Sequence, residues 1–351
     1  MKSTIIKSIF LFLLLFLNDS FAQFEITKPT WYSSNTYKAL YVQVGDLDAP
    51  YTKKIIEIIN ENWKVCPVNY YVKNNFDTSL LVDGNLFLNV EKYSIESQNV
   101  RNSQTAGTTY GAVVYNDYYY LHFWVIDKKY NPKKDWFDFK FTVARAELYL
   151  MTIGMGDEEL KTFQITLPNE SMSNTSRNER FSSSFDFAGE DFKIYYCNGM
   201  AGNIKNMIQY VNRQILANKE EKLLEDIKPT SEIAKLKTEV LYFPNYWYGP
   251  GGTMSEKLSL SDKMYKLNVK YLEDLIKAYP YKIKMITRPE LDEMILKATA
   301  DFYYVNYIQS SADKIMSVVN GFTGEIIYSE ITKLAYRPKD KDFERIGKAA
   351  K

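Results

Sequence analysis

The sequence predicts an α/β protein, mixed with α+β character, built as two related small domains that each hold a mixed sheet with flanking helices. Short apolar strands alternate with amphipathic helices in both halves, and each half reads βαβαβ followed by antiparallel strands. Each half also has a proline after its first helix, at Pro67 and at Pro280. This repeated order predicts an internal duplication, with the two domains joined by a helical linker.

The first half begins with a strand and an amphipathic helix that Pro67 ends. The segment 94–109 is polar and rich in Ser, Thr, Gln and Gly, which predicts a loop. The segment 111–127 is strongly strand-like, and Asn116 with Asp117 either turns it into a hairpin or lies within one long strand. The other expected elements are strands at 40–44, 68–73, 86–90, 139–143 and 163–167, a helix at 51–62 and a helical turn at 77–82.

The second half follows a Ser- and Asn-rich segment, 169–184, which predicts a loop without regular structure. An amphipathic helix then runs from Ile204 through residue 224, before Pro229. Thr287 and Glu290 form a capping box at the start of a short helix that ends near residue 297. The other expected elements are strands at 240–243, 281–286 and 302–308, a turn at 248–252, a helix at 264–279, and a hairpin of 315–319 and 325–328 around 320–324.

The element order is similar to that of the small N-terminal α/β domains of periplasmic TolB-like and curli-secretion proteins. The likeness covers only the order of strands and helices. It therefore implies a fold and no function.

The divisions follow from these elements. They are a signal peptide at 1–22, a first α/β domain at 23–168, a loop and linker helix at 169–232, a second α/β domain at 233–336 and a basic C-terminal tail at 337–351. The chain is basic from Lys333 onward, and we expect this end to be solvated.

The first 22 residues predict export. Lys2 and Lys7 precede an unbroken apolar run over 9–17. The small residues Ser20 and Ala22 occupy the positions before the cleavage site that a signal peptidase recognises. The run is too short for a spanning helix, which needs about 20 apolar residues. No later segment is long and apolar enough to span a membrane, so we expect none after cleavage and a location in the periplasm or outside the cell.

The charge balance argues against a nucleic-acid partner. The chain has 44 basic and 43 acidic residues, and removal of Lys2, Lys7 and Asp19 with the leader leaves 42 of each. A protein that binds phosphate backbones needs a basic excess or a dense basic face. Apolar residues make up 46% of the chain, which is typical of a globular protein with a packed core.

The two cysteines, Cys66 and Cys197, are a possible disulfide pair, because export places them where such a bond persists. Two buried free thiols are the alternative, since the sequence does not show whether their Cα atoms come within bonding range.

Catalytic motifs are absent from the sequence, and we expect no cofactor and no metal. His122 is the single histidine, so a two-histidine zinc site is excluded. By strand alternation Tyr120, His122 and Trp124 share one face, and a half-buried histidine is the favoured interpretation over a Ser-His-Asp triad. Asp46 and Asp48 lie between a strand and a helix. We interpret them as acidic residues that stabilise the start of the helix rather than as Ca²⁺ ligands.

Gly199, Gly202 and Asn203 precede the linker helix, and we expect an ordinary cap there rather than an anion site.

Aromatic residues make up 15% of the chain, with 29 Tyr, and they supply the candidate binding residues. Tyr118 and Tyr120 lie in an aromatic strand that cannot be wholly buried on one face. Tyr246, Trp247 and Tyr248 adjoin a Gly-Pro-Gly-Gly turn, where a loop rarely buries so much aromatic surface, and we expect them to dock a partner.

The predicted function is an exported, non-enzymatic binding or assembly module of the cell envelope, whose partner is another envelope protein or a glycan. Two alternatives stay open. Exposed aromatics also stack on sugars, which is typical of glycan-binding proteins. A carboxylate-dependent hydrolase needs only two acidic residues, and nothing in the sequence selects such a pair.

Overall fold

The structure is a computed structural model. It describes residues 24–27, 37–45, 47–72, 75–100, 111–154, 184–185, 199–220, 226–244, 273–310, 313–333, 335 and 338–351. Within these ranges the chain forms two mixed sheets with flanking helices, as the alternating apolar pattern predicts.

The first sheet and its helices come from the first half of the chain. An edge strand comes first, followed by a strand, a helix and two more strands that are parallel to the strand before the helix. Two long strands, antiparallel to their neighbours, complete the main part of the sheet. The elements are β1 Phe24–Ile26, β2 Ala39–Val44, α1 Pro50–Asn62, β3 Val68–Val72, β4 Asn85–Val100, β5 Gly111–Ile126, β6 Lys140–Gly154 and β7 Ser184–Phe185, with 3-10 turns at Thr78–Leu80 and Trp136–Phe139.

The second sheet repeats this plan after a helix that follows β7. The elements are α2 Ala201–Leu216, a 3-10 helix Ser231–Lys237, β8 Leu241–Pro244, helical residues 273–276, β9 Ile283–Ile286, α3 Arg288–Lys297, β10 Tyr303–Ser310, β11 Asp313–Asn320, β12 Ile326–Thr332 and α4 Asp340–Ala349. The capping box at Thr287 and Glu290 is confirmed, because each side chain bonds the backbone N–H of the other.

The two sheets have the same topology. Sheet 1 runs β1-β6-β5-β4-β2-β3, with β7 beside β4, and sheet 2 runs β12-β11-β10-β8-β9. In sheet 1, β2 is parallel to β3 and β4, while β5 and β6 are antiparallel. In sheet 2, β8 is parallel to β9 and β10, while β11 and β12 are antiparallel. The predicted duplication is therefore confirmed at the level of topology, and we call the two units repeat 1 and repeat 2.

Register aligns the two repeats. Leu40 of β2 pairs with Leu86, and Leu241 of β8 pairs with Tyr303, so Leu86 and Tyr303 hold equivalent places. The next residues, Phe87 and Tyr304, then lie on the equivalent opposite face of each sheet. This equivalence decides which surfaces of the repeats can be compared.

Helix α2 packs between the two repeats. Its apolar residues share one cluster with α1 and sheet 1 on one side, and with α3 and sheet 2 on the other. Eleven of its residues are buried, which is nearly its whole circumference: Ala201, Gly202, Asn203, Ile204, Asn206, Met207, Ile208, Tyr210, Val211, Asn212 and Ile215.

Polar contacts also join α2 to repeat 2. Arg213 donates to Glu325 at 3.0 Å and to the Thr323 carbonyl at 2.8 Å. Asn206 donates to the Gly321 carbonyl at 3.1 Å and accepts from the Tyr304 hydroxyl at 3.1 Å. Because α2 follows repeat 1 in the chain yet holds the β11–β12 turn of repeat 2, the repeats are joined by packing as well as by a peptide chain.

Three sequence expectations need correction. Residues 94–100 form the end of β4 rather than a loop, because β5 runs unbroken through Asn116 and supplies backbone partners that need no apolar side chains. Helix α2 ends at Leu216 instead of continuing to 224, since Asn218 adopts the left-handed conformation at φ 52°.

The third correction concerns the C-terminal end, which forms helix α4 rather than a solvated tail. Phe343 and Ile346 pack into the cluster of sheet 2, at 0% and 1% exposure. Asp342 accepts a hydrogen bond from the Lys339 backbone and pairs with the buried Lys314. The helix has only two large apolar residues, Phe343 and Ile346, and charged residues surround them in the sequence. Such a segment shows little amphipathic periodicity, so its basic composition suggested a solvated tail instead.

Among the described residues, no helix combines the length and the apolar character needed to cross a bilayer. The strand expected at 163–167, the loop at 169–184 except its last residue, and the turn at 248–252 lie outside the described residues.

Candidate functional site

The aromatic residues expected to bind a partner are only partly described. The described residues do not include Tyr246, Trp247 and Tyr248. The backbone of Tyr118 lies in β5, but the structure does not describe its side chain. Tyr120 is 4% exposed, and the Arg145 guanidinium stands 5.5 Å from the centre of its ring. Tyr120 therefore offers little surface to a partner, while the role of the loop aromatics stays a prediction.

The predicted disulfide also stays a prediction. Within the described ranges Cys66 is a free, half-buried thiol, and Cys197 lies outside them. Burial raises the pKa of the Cys66 thiol, which keeps it protonated and unreactive near neutral pH.

A largely buried polar cluster lies on the outer face of sheet 1. We use this name for the face that carries Phe87, His122 and Trp124, opposite the face that packs on α1 and α2. His122 Nδ1 contacts Glu91 Oε2 on β4, and His122 Nε2 lies 2.9 Å from Thr142 Oγ1 on β6. Lys140 Nζ lies 3.2 Å from the same Glu91 oxygen. The cluster therefore joins three adjacent strands through one imidazole.

Electrostatics favour an ionised Glu91 beside a neutral His122. Burial opposes ionisation of Glu91, yet its contacts with His122 and Lys140 outweigh burial and hold the pKa of Glu91 well below its usual range. Burial lowers the pKa of His122 despite the neighbouring carboxylate, and Lys140 and Arg145 add to this lowering. A neutral ring donates through Nδ1 to Glu91 and accepts through Nε2 from the Thr142 hydroxyl, so both ring nitrogens are satisfied.

Aromatic rings surround the cluster. Trp124 stacks on Phe87 at 4.4 Å and on Trp136 at 5.2 Å between ring centres. Lys140 Nζ lies 4.5 Å from the centre of the Trp124 ring, and Trp124 donates through Nε1 to Asn89 at 2.9 Å. The ammonium group of Lys140 is thus held by a carboxylate and by an aromatic face, which fixes β6 against β5.

The order carboxylate, imidazole, hydroxyl has the connectivity of a nucleophile activated by a base. Two observations argue against that chemistry. His122 is only 7% exposed, so a substrate carbonyl has little access to the ring. Lys140 already neutralises Glu91, which weakens its ability to stabilise an imidazolium. The interpretation of His122 as a strand residue with satisfied hydrogen bonds is therefore favoured by the geometry as well as by the sequence.

The other sequence candidates have structural partners. Asp48 lies before α1 and pairs with Lys53 at 3.1 Å, while Asp46 lies outside the described residues. At the start of α2 the Gly202 N–H donates to the Asp292 carboxylate of α3 at 2.5 Å. The positive end of this helix thus receives an anion from the chain itself. Within the described ranges no three His, Cys, Asp or Glu side chains converge as metal ligands do.

Beyond the cluster, sheet 1 continues as a three-stranded extension, by which we mean residues 92–100, 111–119 and 149–154. The β4–β5 ladder contains fifteen residue pairs, from Leu86↔Val125 to Val100↔Gly111. Among the side chains that the structure describes, the helix-covered core reaches Val90 on β4, Leu121 on β5 and Leu148 on β6. The β4–β5 ladder continues past Val90 and Leu121 for ten more pairs, or roughly 30 Å at about 3.3 Å per residue.

Sequence reasoning found His122 but missed Glu91, Lys140 and Thr142. These partners depend on which residues face each other across β4, β5 and β6, and β6 shifts register twice against β5. Alternation placed Tyr120, His122 and Trp124 on one face. The structure agrees, because Trp124 packs in the outer-face cluster whereas Leu121 and Phe123 pack in the helix-covered core. The only signal in the sequence was that the neighbouring strands carry polar residues, Glu91 on one side and Lys140 and Thr142 on the other, that could bond a histidine.

No family model matches this chain, and none of the curated proteins matches it either. The function must therefore be argued from the fold and its surfaces.

Proposed function

We propose that the protein is an exported, non-enzymatic binding or assembly module of the cell envelope. The observation that carries this proposal is the three-stranded extension, whose ladder continues for roughly 30 Å past the last described core residues of β4 and β5. Strands of ordinary globular domains have about five or six residues, because they end where the core ends. The β4–β5 ladder of sheet 1 is about three times that length, and we infer that the added length serves contact with a partner.

A stable base supports this interpretation. Helix α2 is buried by both repeats, and hydrogen bonds from Arg213 and Asn206 hold the β11–β12 turn against it. Binding surfaces are commonly placed on segments that a fixed scaffold positions. The two repeats would act as that scaffold for the extension.

The proposed partner is another envelope protein, and the leader at 1–22 motivates the location. The loop aromatics Tyr246, Trp247 and Tyr248 are the second proposed contact, since large aromatic side chains dominate binding energy at interfaces. A glycan partner is the alternative that the experiment below must distinguish.

The test replaces single residues of the full exported chain with a photo-crosslinking amino acid in its own cells. The positions are Ser97 in the extension, Tyr246 in the loop, and Lys341 as a control on the exposed side of α4. We expect one dominant protein adduct from Ser97 or Tyr246 and none from Lys341. Equal adducts from all three positions, or none from any, would contradict the proposal, and adducts that carry only glycan would favour the sugar-binding alternative.

A shortened variant separates binding from folding. Residues 95–116 are replaced by Asn-Gly, which joins the paired residues Ser94 and Asp117 by a two-residue turn. Because the core strands stay intact, we expect an unchanged Tm within about 2 °C and loss of the adduct at Tyr246 if the extension contributes to the interface. A retained adduct together with retained Tm would remove the extension from the interface.

The loop aromatics have their own test. We expect Trp247→Ala to weaken capture of the crosslinked partner at least tenfold, about 1.4 kcal/mol, without lowering Tm. Trp247→Phe is the matched control, because it keeps an aromatic ring and should lose less. Unchanged capture by Trp247→Ala would exclude this residue from the interface.

A further inference from the structure

The cluster on the outer face occupies a defined place in sheet 1. His122 pairs in register with Asn89 of β4 and with Arg145 of β6. Glu91 lies at the end of the helix-covered part of β4, immediately before the extension. On β4 and β5 the cluster therefore lies close to the base of the extension, whereas its β6 members, Lys140 and Thr142, lie at the start of β6, and its bonds connect all three strands.

Charged or titratable groups reach His122 from all three strands of the cluster. Glu91 comes from β4, Lys140 and Arg145 come from β6, and Tyr120 comes from β5 itself. The 3-10 turn contributes Trp136, which stacks on Trp124, and its acidic residue Asp138 is exposed to solvent. Two cations and one carboxylate thus face the imidazole, so a proton on His122 adds a third positive charge against a single negative one.

We propose that this cluster is a pH-sensitive lock at the base of the extension, closed while His122 is neutral and loosened when His122 takes up a proton. The neutral ring joins Glu91 to Thr142 and so ties β4 to β6 across β5. Protonation converts Nε2 from an acceptor to a donor, and the Thr142 hydroxyl must then reorient. The added charge also repels Lys140 and Arg145, which both anchor β6.

The direction of the pH effect follows from linkage. Burial lowers the pKa of His122 in the folded protein, whereas the unfolded chain takes up the proton at its ordinary value near 6.5. The folded protein is therefore most favoured above pH 6.5 and loses stability as the pH falls from 6.5 towards the lowered value. Glu91 acts in a different window, because its own pKa is lowered and its effect is lost only below about pH 4.5.

The sequence makes this proposal directly measurable, because His122 is the single histidine of the chain. Side-chain NMR of the full mature protein therefore reports one imidazole. We expect its titration midpoint below 6.5 and, at neutral pH, a hydrogen on Nδ1 with an unprotonated Nε2. A midpoint at or above 6.5, or the opposite tautomer, would overturn the lock.

Thermal unfolding supplies the second measurement. Between pH 7.5 and pH 5.0 the unfolding equilibrium of the natural chain should shift by up to about thirtyfold, or about 3 °C in Tm for a chain of this size, relative to His122→Gln. The variant controls for every carboxylate, since it keeps them all. An equal loss in both proteins would show that His122 carries none of the effect.

Hydrogen exchange locates the loosening. At pH 5.0, after correction for the intrinsic pH dependence of exchange, β4, β5 and β6 near residues 91, 122 and 142 should lose protection, while β10 and β11 of repeat 2 should not. If His122→Gln fails to fold, Thr142→Val tests the lock in another way, because it removes the hydroxyl that bonds His122 and keeps the β-branched shape. The same strands should then lose protection already at pH 7.5, and unchanged protection there would contradict the lock. Uniform loss of protection over both repeats would contradict a local lock. These outcomes do not depend on the proposed function, because they concern the stability of sheet 1.

Discussion

The two repeats share one topology and differ in what covers the same face. In repeat 2 the face that carries Tyr304 and Val319 packs on α2. In repeat 1 the equivalent face carries Phe87 and Trp124, and aromatic rings cover it from the turns before β4 and β6. A helix from the preceding unit thus covers one repeat, whereas local side chains close the other. The difference shows that two repeats of one topology can cover the equivalent sheet face in different ways.

The helices that close each repeat differ in the same way. Helix α2 is buried on nearly all sides, since repeat 1 and repeat 2 both pack on it. Helix α4 buries only Asp342, Phe343, Ile346 and Gly347, and its other side is charged. The exposed, charged side of α4 suits contact with solvent rather than with an apolar sheet face.

The largest test of this comparison is truncation of one isoleucine in each helix. Ile208→Ala in α2 and Ile346→Ala in α4 each remove a buried side chain, at 0% and 1% exposure, and should each cost about 3 kcal/mol of unfolding free energy. Hydrogen exchange should separate them. Ile208→Ala should reduce protection in both sheets, whereas Ile346→Ala should affect sheet 2 first. Loss confined to repeat 1 in the Ile208 variant would mean that α2 does not couple the repeats.

A smaller effect is expected at the turn that holds repeat 2 on α2. Gly324 has φ +70°, and a Cβ there would lie 2.5 Å from the Asn206 backbone carbonyl, so Gly324→Ala should cost about 2–3 kcal/mol. Gly84→Ala is the matched control in repeat 1. Its φ is also positive, at +98°, but the nearest atoms belong to the flexible Lys38 side chain.

Chemical denaturation of both variants checks this prediction. The Gly84 variant should lose about 1–2 kcal/mol, which is the conformational cost alone. Equal losses in the two variants would show that the contact with α2 adds nothing to the backbone strain.

The smallest expected effect is at the start of α2. Asp292→Asn removes the negative charge that accepts the Gly202 N–H, and should cost about 1 kcal/mol. Asp48→Asn is the control at the start of α1, because the Asp48 side chain is 91% exposed and its pairing with Lys53 is screened by solvent. Urea unfolding should detect the first substitution and not the second. A loss of stability in Asp48→Asn but not in Asp292→Asn would mean that the charge at the start of α1, not the one at the start of α2, stabilises the fold.

Much of the fold was predictable because apolar periodicity is local. The spacing of Ile55, Ile58 and Ile59 predicted α1, and Thr287 with Glu290 predicted the start of α3, as the structure confirms. Helix α4 and the end of β4 were not predicted, because charged or polar segments carry little periodic signal. The site was predictable only at His122, since its partners Glu91 and Thr142 are brought to it by strand pairing.

The sequence by itself determined the order of elements, the duplicated plan and the face of β5 on which His122 lies, because each follows from residue spacing within one segment. Only the tertiary structure decided that α2 is shared by both repeats, that α4 closes repeat 2, and that one imidazole joins three strands. Those features depend on contacts between residues far apart in the chain. Register and packing create them, and no single segment encodes either one.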